Sequence, residues 1–348
     1  MTAALLHVLR AGPAVTVQDR GRRGTLAFGL SAGGAADPEA LDEAAALLAL
    51  PPGPAHALAA LEMAGQGGAF YASVPVRLAL TGAPMRASCG GSPLAWGACH
   101  ALAAGAVIEI GPALSGVYGY LSLAGGIATP PLLGSRSVLP AAGLGSAVQP
   151  GDAIPLGPDP GGPAGRRLEV EDRFTGGTVR IIPGPQTALF DAATRARFEA
   201  TGFRRDPRGN RQGVRLAHDG APFAAAGQLA LLSEPIVPGD IQMTGDGAPF
   251  VLGPDCQTIG GYPRIGTVVP QDLPRVLQAP PGAPLRFAFV DRAAALADLR
   301  ARIAAAATRA ARVRPLVRDP AGIPDLLSLQ LIGGVTAGDD ETDDNAAQ

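Results

Sequence analysis

The chain of 348 residues contains no lysine: all 28 of its Lys and Arg positions are arginine. That absence removes several chemistries at once. No Schiff-base lysine can form. No lysine can reach a nucleotide phosphate from a P-loop, and none can act as a general base of lowered pKa. A prosthetic group attached through a lysine amide, such as biotin, has no acceptor. Cysteine is scarce as well, with only Cys89, Cys99 and Cys256, so a disulfide framework is not expected. The formal net charge is −2, which supplies no basic face, and nucleic acid is not an expected partner. Met1 to Arg10 shows no apolar stretch behind a basic cluster, so no leader peptide is read there. Apolar runs of about 18 residues, the length a membrane helix needs, are missing too. A cytoplasmic protein with no membrane contact is the expectation.

What is present is glycine, proline and short apolar runs. The sequence has 48 Gly, 34 Pro and 47% hydrophobic residues. Turn formers that separate short apolar segments predict many strands joined by tight turns. Strand, turn, strand is read over Leu5 to Gln18 around Gly12-Pro13. Polar glycine loops follow at 19–24 and 29–37. Asp37-Pro38 has the form of an N-cap with proline at the first helical position, opening a helix to about Leu50 that Pro51-Pro52-Gly53 ends. Strand signals then recur every 8–12 residues or so, at 76–80, 106–110, 119–123 and 153–156. Residues 157–165 (GPDPGGPAG) read as a linker. Beyond it come a strand at 178–182, a short helix at 187–201, more strands from Gly227 to Val290, and a helix from Asp291 to Val313. Residues 338–348 hold five acidic residues and no large apolar ones, the composition of a disordered tail.

Generic motifs give little. Gly29-Leu30-Ser31-Ala32-Gly33 fits a nucleophile elbow, but His56, His100 and His218 sit in no triad context. A glycine loop that tolerates serine explains it. Cys99 and His100 are adjacent, and neighbours on a strand face opposite ways, so no metal site is read. Gly33-Gly34-Ala35-Ala36-Asp37 has the outline of a phosphate cradle without the rest of a fingerprint.

Polar residues set among glycines are more informative. Gln257-Thr258-Ile259-Gly260-Gly261-Tyr262-Pro263-Arg264 crowds an amide, a hydroxyl, a phenol and a guanidinium around two glycines that let backbone approach a ligand. Asn210-Arg211-Gln212-Gly213-Val214-Arg215 offers arginine forks suited to carboxylate or phosphate. Gly134-Ser135-Arg136-Ser137 and Thr244-Gly245-Asp246-Gly247 are further polar turns. On composition alone each is equally readable as a bulge, a solvated turn or a self-capped hairpin.

Taken in chain order, these blocks resemble the biotin-dependent carboxyltransferase A/B family. The matching runs are 16–22 (TVQDRGR), the glycine loop ending in Asp37, 78–83, 120–127, 133–137, 182–186, 210–216, 239–242, 245–247, 257–263 and 272–274, spread over residues 8–292. Two positions depart from the pattern: Gly33 stands where relatives usually have serine, and Arg264 where many have lysine. The resemblance implies a mainly β fold of two barrel-like subdomains with cyclophilin-like elements, a few short helices and a C-terminal helix. The subdomains would be 1–165 and 166–292, then a helix and extension at 293–335 and a disordered tail at 336–348. The apolar stretch 316–335 lies beyond the matching region and is left without a role by the resemblance; its composition makes it a candidate docking segment.

The family includes the C subunit of 5-oxoprolinase, which acts with A and B subunits to open 5-oxo-L-proline to L-glutamate at the expense of ATP. By resemblance, this chain would need A-like and B-like partners and a small lactam or amide substrate. It would use ATP only at the level of the complex and be inactive alone. Arg211 and Arg215 would bind carboxylate or phosphate. Gln242, Gln257, Thr258, Gly260 and Gly261 would line the substrate, and Asp246, Tyr262 and Asp19 would be catalytic. Two other family activities stay open: carboxyl transfer from carboxybiotin to urea or another amide, and non-enzymatic regulation of a kinase-inhibitor-like partner.

Overall fold

A computed structural model of the chain describes residues 4–50, 58–227 and 231–317. The proline stop at 51–53, most of the 316–335 segment and the acidic tail lie outside the described residues.

The fold is mainly β. Its first region is a pair of facing sheets, one of six strands and one of seven. The strands at Leu5–Ala11 and Val15–Gln18 are consecutive but belong to different sheets, so the Gly12-Pro13 turn passes the chain from one layer to the other. Alternation then sorts side chains between two faces. Leu61, Met63, Leu78, Leu80 and Leu121 point from the seven-stranded sheet into the core that it shares with Leu6, Val8, Phe70 and Ile108 of the other. Ala60, Tyr120 and Ala79 point the other way, toward the Pro38–Leu47 helix and the second region.

That second region is a closed barrel of seven strands between Gly177 and Phe289. All its neighbours are antiparallel except Gly177–Ile182 with Pro284–Phe289. Its interior is filled by Val179, Ile181, Val214, Leu216, Ile241, Met243, Val251 and Ile265, all buried. Phe198, on the Ala192–Ala200 helix, plugs one end against Phe203 and Phe287 at ring distances of 5.0 and 5.3 Å. A barrel so filled has no room for a ligand inside, so any site must lie on its outside.

The 157–165 linker is pinned rather than loose. Arg77 donates to the Asp159 carboxylate and to the Gly161 and Pro163 carbonyls. The helix expected over 187–201 is a 3₁₀ turn at Thr187–Leu189 followed by the α-helix at 192–200. The Arg292–Ala307 helix buries no residue, as a sequence with no single apolar face requires. No helix among the described residues is long and apolar enough to cross a membrane.

Candidate functional site

The barrel strands alternate, so the partners of the interior residues point outward. Arg215 and Gln242 both lie opposite Phe250, one on each side, and Gln242 lies opposite Arg264. Arg215 and Gln242 are therefore two strands, about 10 Å, apart along one outer row. Over this row lies a small flap, Glu234–Pro235 paired with Ile259–Gly260. Ile236, Leu252 and Cys256 seal its underside, and burial pushes the Cys256 thiol up to about 12.

Beneath the flap, Gln242 is only 3% exposed, yet its side-chain Nε2 has no hydrogen-bond partner among the described residues. The space above it is closed by Gly260: a Cβ there would stand 2.6 Å from Gln242 Nε2 and 3.0 Å from Ile236 Cδ1. The glycine is thus required for close approach rather than for backbone freedom. Arg264 is held in place beside it. Its guanidinium donates to the Pro235 carbonyl at 2.8 Å and to Asp240 at 3.1 Å, and it also meets Glu234. Gln186 accepts from the Arg264 backbone N–H at 3.0 Å and donates to Glu234 at 2.9 Å. Asp240 is shared with Thr267 at 2.6 Å. Tyr262 ends the flap half exposed.

The flap also meets the first region. Thr258 Oγ1 donates to the Gly29 carbonyl at 3.1 Å, the Gly33 N–H to the Pro254 carbonyl at 3.2 Å, and Ser31 to the Cys256 carbonyl. Gln257, Thr258, Gly260, Gly261 and Tyr262 therefore sit at the seam between the two regions, with Gln242 and Arg264 below them. Ser31, in the elbow-like run, is spent on that backbone contact.

Other predicted site residues fall elsewhere. Arg211 is bonded inward: to Asp255 through Nε and Nη2 at 2.8 Å each, to the Gly34 carbonyl at 2.6 Å and to Glu62. Glu62 also accepts from Tyr120 Oη at 2.7 Å and the Ala36 N–H at 2.8 Å. Burial and the adjacent Glu62 carboxylate raise the Tyr120 phenol well above its ordinary value. Arg211 thus ties the barrel to the paired sheets.

Asp19 is fully buried and fully used. Its oxygens accept from the Gly21 N–H at 2.8 Å, the Arg136 N–H at 2.7 Å and the Ser135 hydroxyl at 2.6 Å, and Ser137 adds another. This explains the Gly134-Ser135-Arg136-Ser137 run: it is the partner loop of Asp19. Asp246, exposed, and Arg215, half-buried, form a pair at 2.6 Å at the barrel rim. Hydrogen bonds from Arg215 and Thr244 hold the Asp246 carboxyl well below the usual carboxylate range, so it is an ionised acceptor of low basicity.

Asp37 does not cap its helix through its side chain. It accepts instead from Arg173 Nε at 2.7 Å and Gln278 Nε2 at 2.9 Å, and Arg173 forks onto Glu43 at 2.8 and 3.0 Å. Burial raises the Glu43 carboxyl to about 7 despite Arg173. Sequence reasoning passed over Glu62 and Asp255, and gave no role to Asp240 and Gln186 although both lie in matching runs. Glu62 could have been found, as a lone carboxylate inside the apolar run Ala60-Leu61-Glu62-Met63-Ala64, since such a residue is buried only when paired.

Comparisons with known proteins agree with this architecture. The profile of the carboxyltransferase domain, subdomain A and B, matches residues 28–289. The C subunit of the 5-oxoprolinase of Escherichia coli (strain K12) is 32% identical over 290 residues, covering 81% of this chain and 90% of the relative. Among solved structures, TTHA0988 superposes with a TM-score of 0.74 at 29% identity, over 82% of this chain. The Kluyveromyces lactis urea carboxylase has a TM-score of 0.79 at 22% identity, over 92% of this chain, and shows the shared fold. The chain spans 56% of the TTHA0988 chain and 31% of the urea carboxylase chain. The protein belongs to the carboxyltransferase domain, subdomain A and B, family.

Proposed function

We propose that this chain is the C subunit of an ATP-dependent 5-oxoprolinase, opening 5-oxo-L-proline to L-glutamate together with A-like and B-like subunits. The observation that carries the reading is the match to the C subunit of a known 5-oxoprolinase along 90% of that protein's length. The site suits the chemistry. A lactam presents one carbonyl oxygen and one N–H, and the seam offers neutral donors and acceptors for both: Gln242, Gln257, Thr258 and the Tyr262 hydroxyl. A lactam carbonyl is a poor electrophile. Transfer of the γ-phosphoryl group of ATP to its oxygen, releasing ADP, would make the ring carbon open to water; the ring nitrogen would then leave as an amine to give an acyl phosphate, which a second water would hydrolyse to glutamate and phosphate.

Neither of the usual triphosphate cradles is formed by the described residues. The chain has no lysine, and the glycine loop before the Pro38 helix ends at Asp37, a buried carboxylate already paired with Arg173. We therefore assign the nucleotide to a partner subunit. This chain's part is to hold the lactam, with Arg264 as the fixed cation of the site and Tyr262 as its phenolic donor. Arg211 is a positioning residue. Arg215 and Asp246 belong to the barrel rim.

The test is reconstitution with the A-like and B-like subunits of the same genome, assaying glutamate from 5-oxoproline and ATP with each subunit left out in turn. Activity requiring all three is expected. In the active complex, Tyr262→Phe should cut the rate by about tenfold or more, and unchanged activity in both Tyr262→Phe and Arg264→Gln would sink the site assignment. The fold shared with urea carboxylase supports carboxyl transfer to an amide as the second reading. An inactive but well-formed complex that carboxylates urea in the presence of a carboxybiotin carrier would establish it.

A further inference from the structure

Exposed apolar side chains usually stand singly on a protein surface; here four of the largest lie on three adjoining segments. Phe28 is 88% exposed, Leu232 84%, Ile259 60% and Tyr262 47%. The bond from Thr258 Oγ1 to the Gly29 carbonyl brings the chain at Phe28–Gly29 up to the chain at Thr258–Ile259. The pairing of Glu234–Pro235 with Ile259–Gly260 brings the Leu232 side of the flap alongside Tyr262. The Leu231 carbonyl oxygen lies 3.8 Å from where a Cβ of Gly261 would stand. Phe28 is presented by a defined turn: Thr25–Phe28 is one 3₁₀ turn closed at both ends by left-handed glycines, Gly24 (φ 78°) and Gly29 (φ 73°).

A cation stands beside the patch. Arg20 pairs with Asp42, and Arg22 donates to the Leu132 and Ser137 carbonyls. Arg23, between them and the Thr25–Phe28 turn, is exposed and makes no hydrogen bond or ion pair with any described residue.

We propose that this patch is where the partner subunit docks, through an apolar surface that carries a carboxylate opposite Arg23. The inference rests on the reading of the chain as one subunit of a complex. Relatives matched over most of their length are named as subunits, and in the solved structures the same fold is one part of a longer chain. Position adds a reason. The flap carries Ile259 on its outside, ends at the half-exposed Tyr262 and covers Gln242 and Arg264 on its inside, so a partner seated there closes the site against water. A second copy of this chain fits less well. It would bring another Arg23, while Glu234, the carboxylate on the flap, is already bonded to Arg264 and Gln186.

The test uses the full chain and each of the A-like and B-like subunits in turn, with affinity read by titration calorimetry. One of the two should bind. Phe28→Asp and Ile259→Asp should each weaken that binding about tenfold or more. Arg23→Glu should slow association and lose the salt dependence of the on-rate. Leu114→Asp, at a residue 61% exposed elsewhere, should leave affinity unchanged, and all four variants should melt like the wild type. Wild-type affinity in both the Phe28 and Ile259 variants overturns the proposal. So does a failure of the wild type to bind either partner, or a homodimer of the chain alone that Phe28→Asp dissolves. Patch-dependent binding in a complex that forms no glutamate keeps the docking surface and removes the oxoprolinase reading. Glutamate formation by a complex indifferent to the patch does the reverse.

Discussion

Between the barrel and the paired sheets, Arg211 meets Asp255, Glu62 and a backbone carbonyl; under the flap, Gln242 packs against Gly260 and leaves its amide nitrogen without a partner. Both are polar residues buried against the same barrel. The first cluster is closed on itself, and each charge has an opposite charge and further hydrogen bonds. The second keeps a bond unmade among the described residues, next to a braced guanidinium. Buried polar groups without partners are costly and therefore rare. Each one calls for an explanation, and a ligand's acceptor is one. Composition alone does not distinguish the two clusters, and only the accounting of partners does.

The comparison breaks most visibly at Arg211. Arg211→Met removes the shared partner of two buried carboxylates and should cost about 3–5 kcal/mol in urea unfolding. Gln242→Leu removes a donor that has no partner and should be near neutral or stabilising, while lowering activity of the complex. Equal losses of stability in the two variants would mean that Gln242 belongs to the scaffold as much as Arg211 does.

The Asp37–Arg173–Glu43 cluster sharpens the same contrast through pH. Burial raises the folded-state Glu43 carboxyl from an ordinary 4.5 to about 7. Between those values the folded protein holds a proton that the unfolded chain has released. The Glu43 contribution to stability should therefore fall as pH rises through that window, by up to about 3 kcal/mol, and be complete below it. Glu43→Gln, which stays neutral, should flatten the slope measured by urea unfolding across that window. An unchanged slope would place the titrating group elsewhere.

Gly260→Ala probes the closed side of the flap. The added Cβ would meet Gln242 Nε2 at 2.6 Å, and overpacking of this kind costs about 2 kcal/mol. The effect should shrink when Gln242 is shortened to alanine in the same chain, because the clash is with that side chain. Additive losses would show that the two do not touch.

Much of the fold was legible in sequence because it rests on local signals. Glycine and proline punctuation marked the strands, and Asp37-Pro38 marked the helix start. The seam of the site was legible for the same reason: Gln257 to Arg264 is one short contiguous run. What escaped was non-local. Glu62 and Arg211 are far apart in the chain and meet only because a sheet face turns toward the barrel. Asp19 and Ser135–Ser137 are likewise joined only by folding. Reading Arg211 and Asp19 as ligand-facing was reasonable from their residue types, but their partners lie inside the protein. Alternation along the barrel strands, which buries Ile241 and turns Gln242 outward, could be seen only once the register was fixed.

Asp246 carries the smallest expected effect and the sharpest question about the rim. Its carboxylate is exposed and held to Arg215 and Thr244. Exposed pairs of this kind contribute about 0–1 kcal/mol, so Asp246→Asn should unfold almost like the wild type. A carboxyl kept below its usual range is a weak base and a poor choice for moving a proton at neutral pH. The activity of the reconstituted complex should therefore survive the substitution. If activity is instead lost while assembly and stability hold, the rim belongs to the site. A partner would then have to displace Arg215 from Asp246, since only a carboxylate freed from its guanidinium has the basicity that a proton transfer requires.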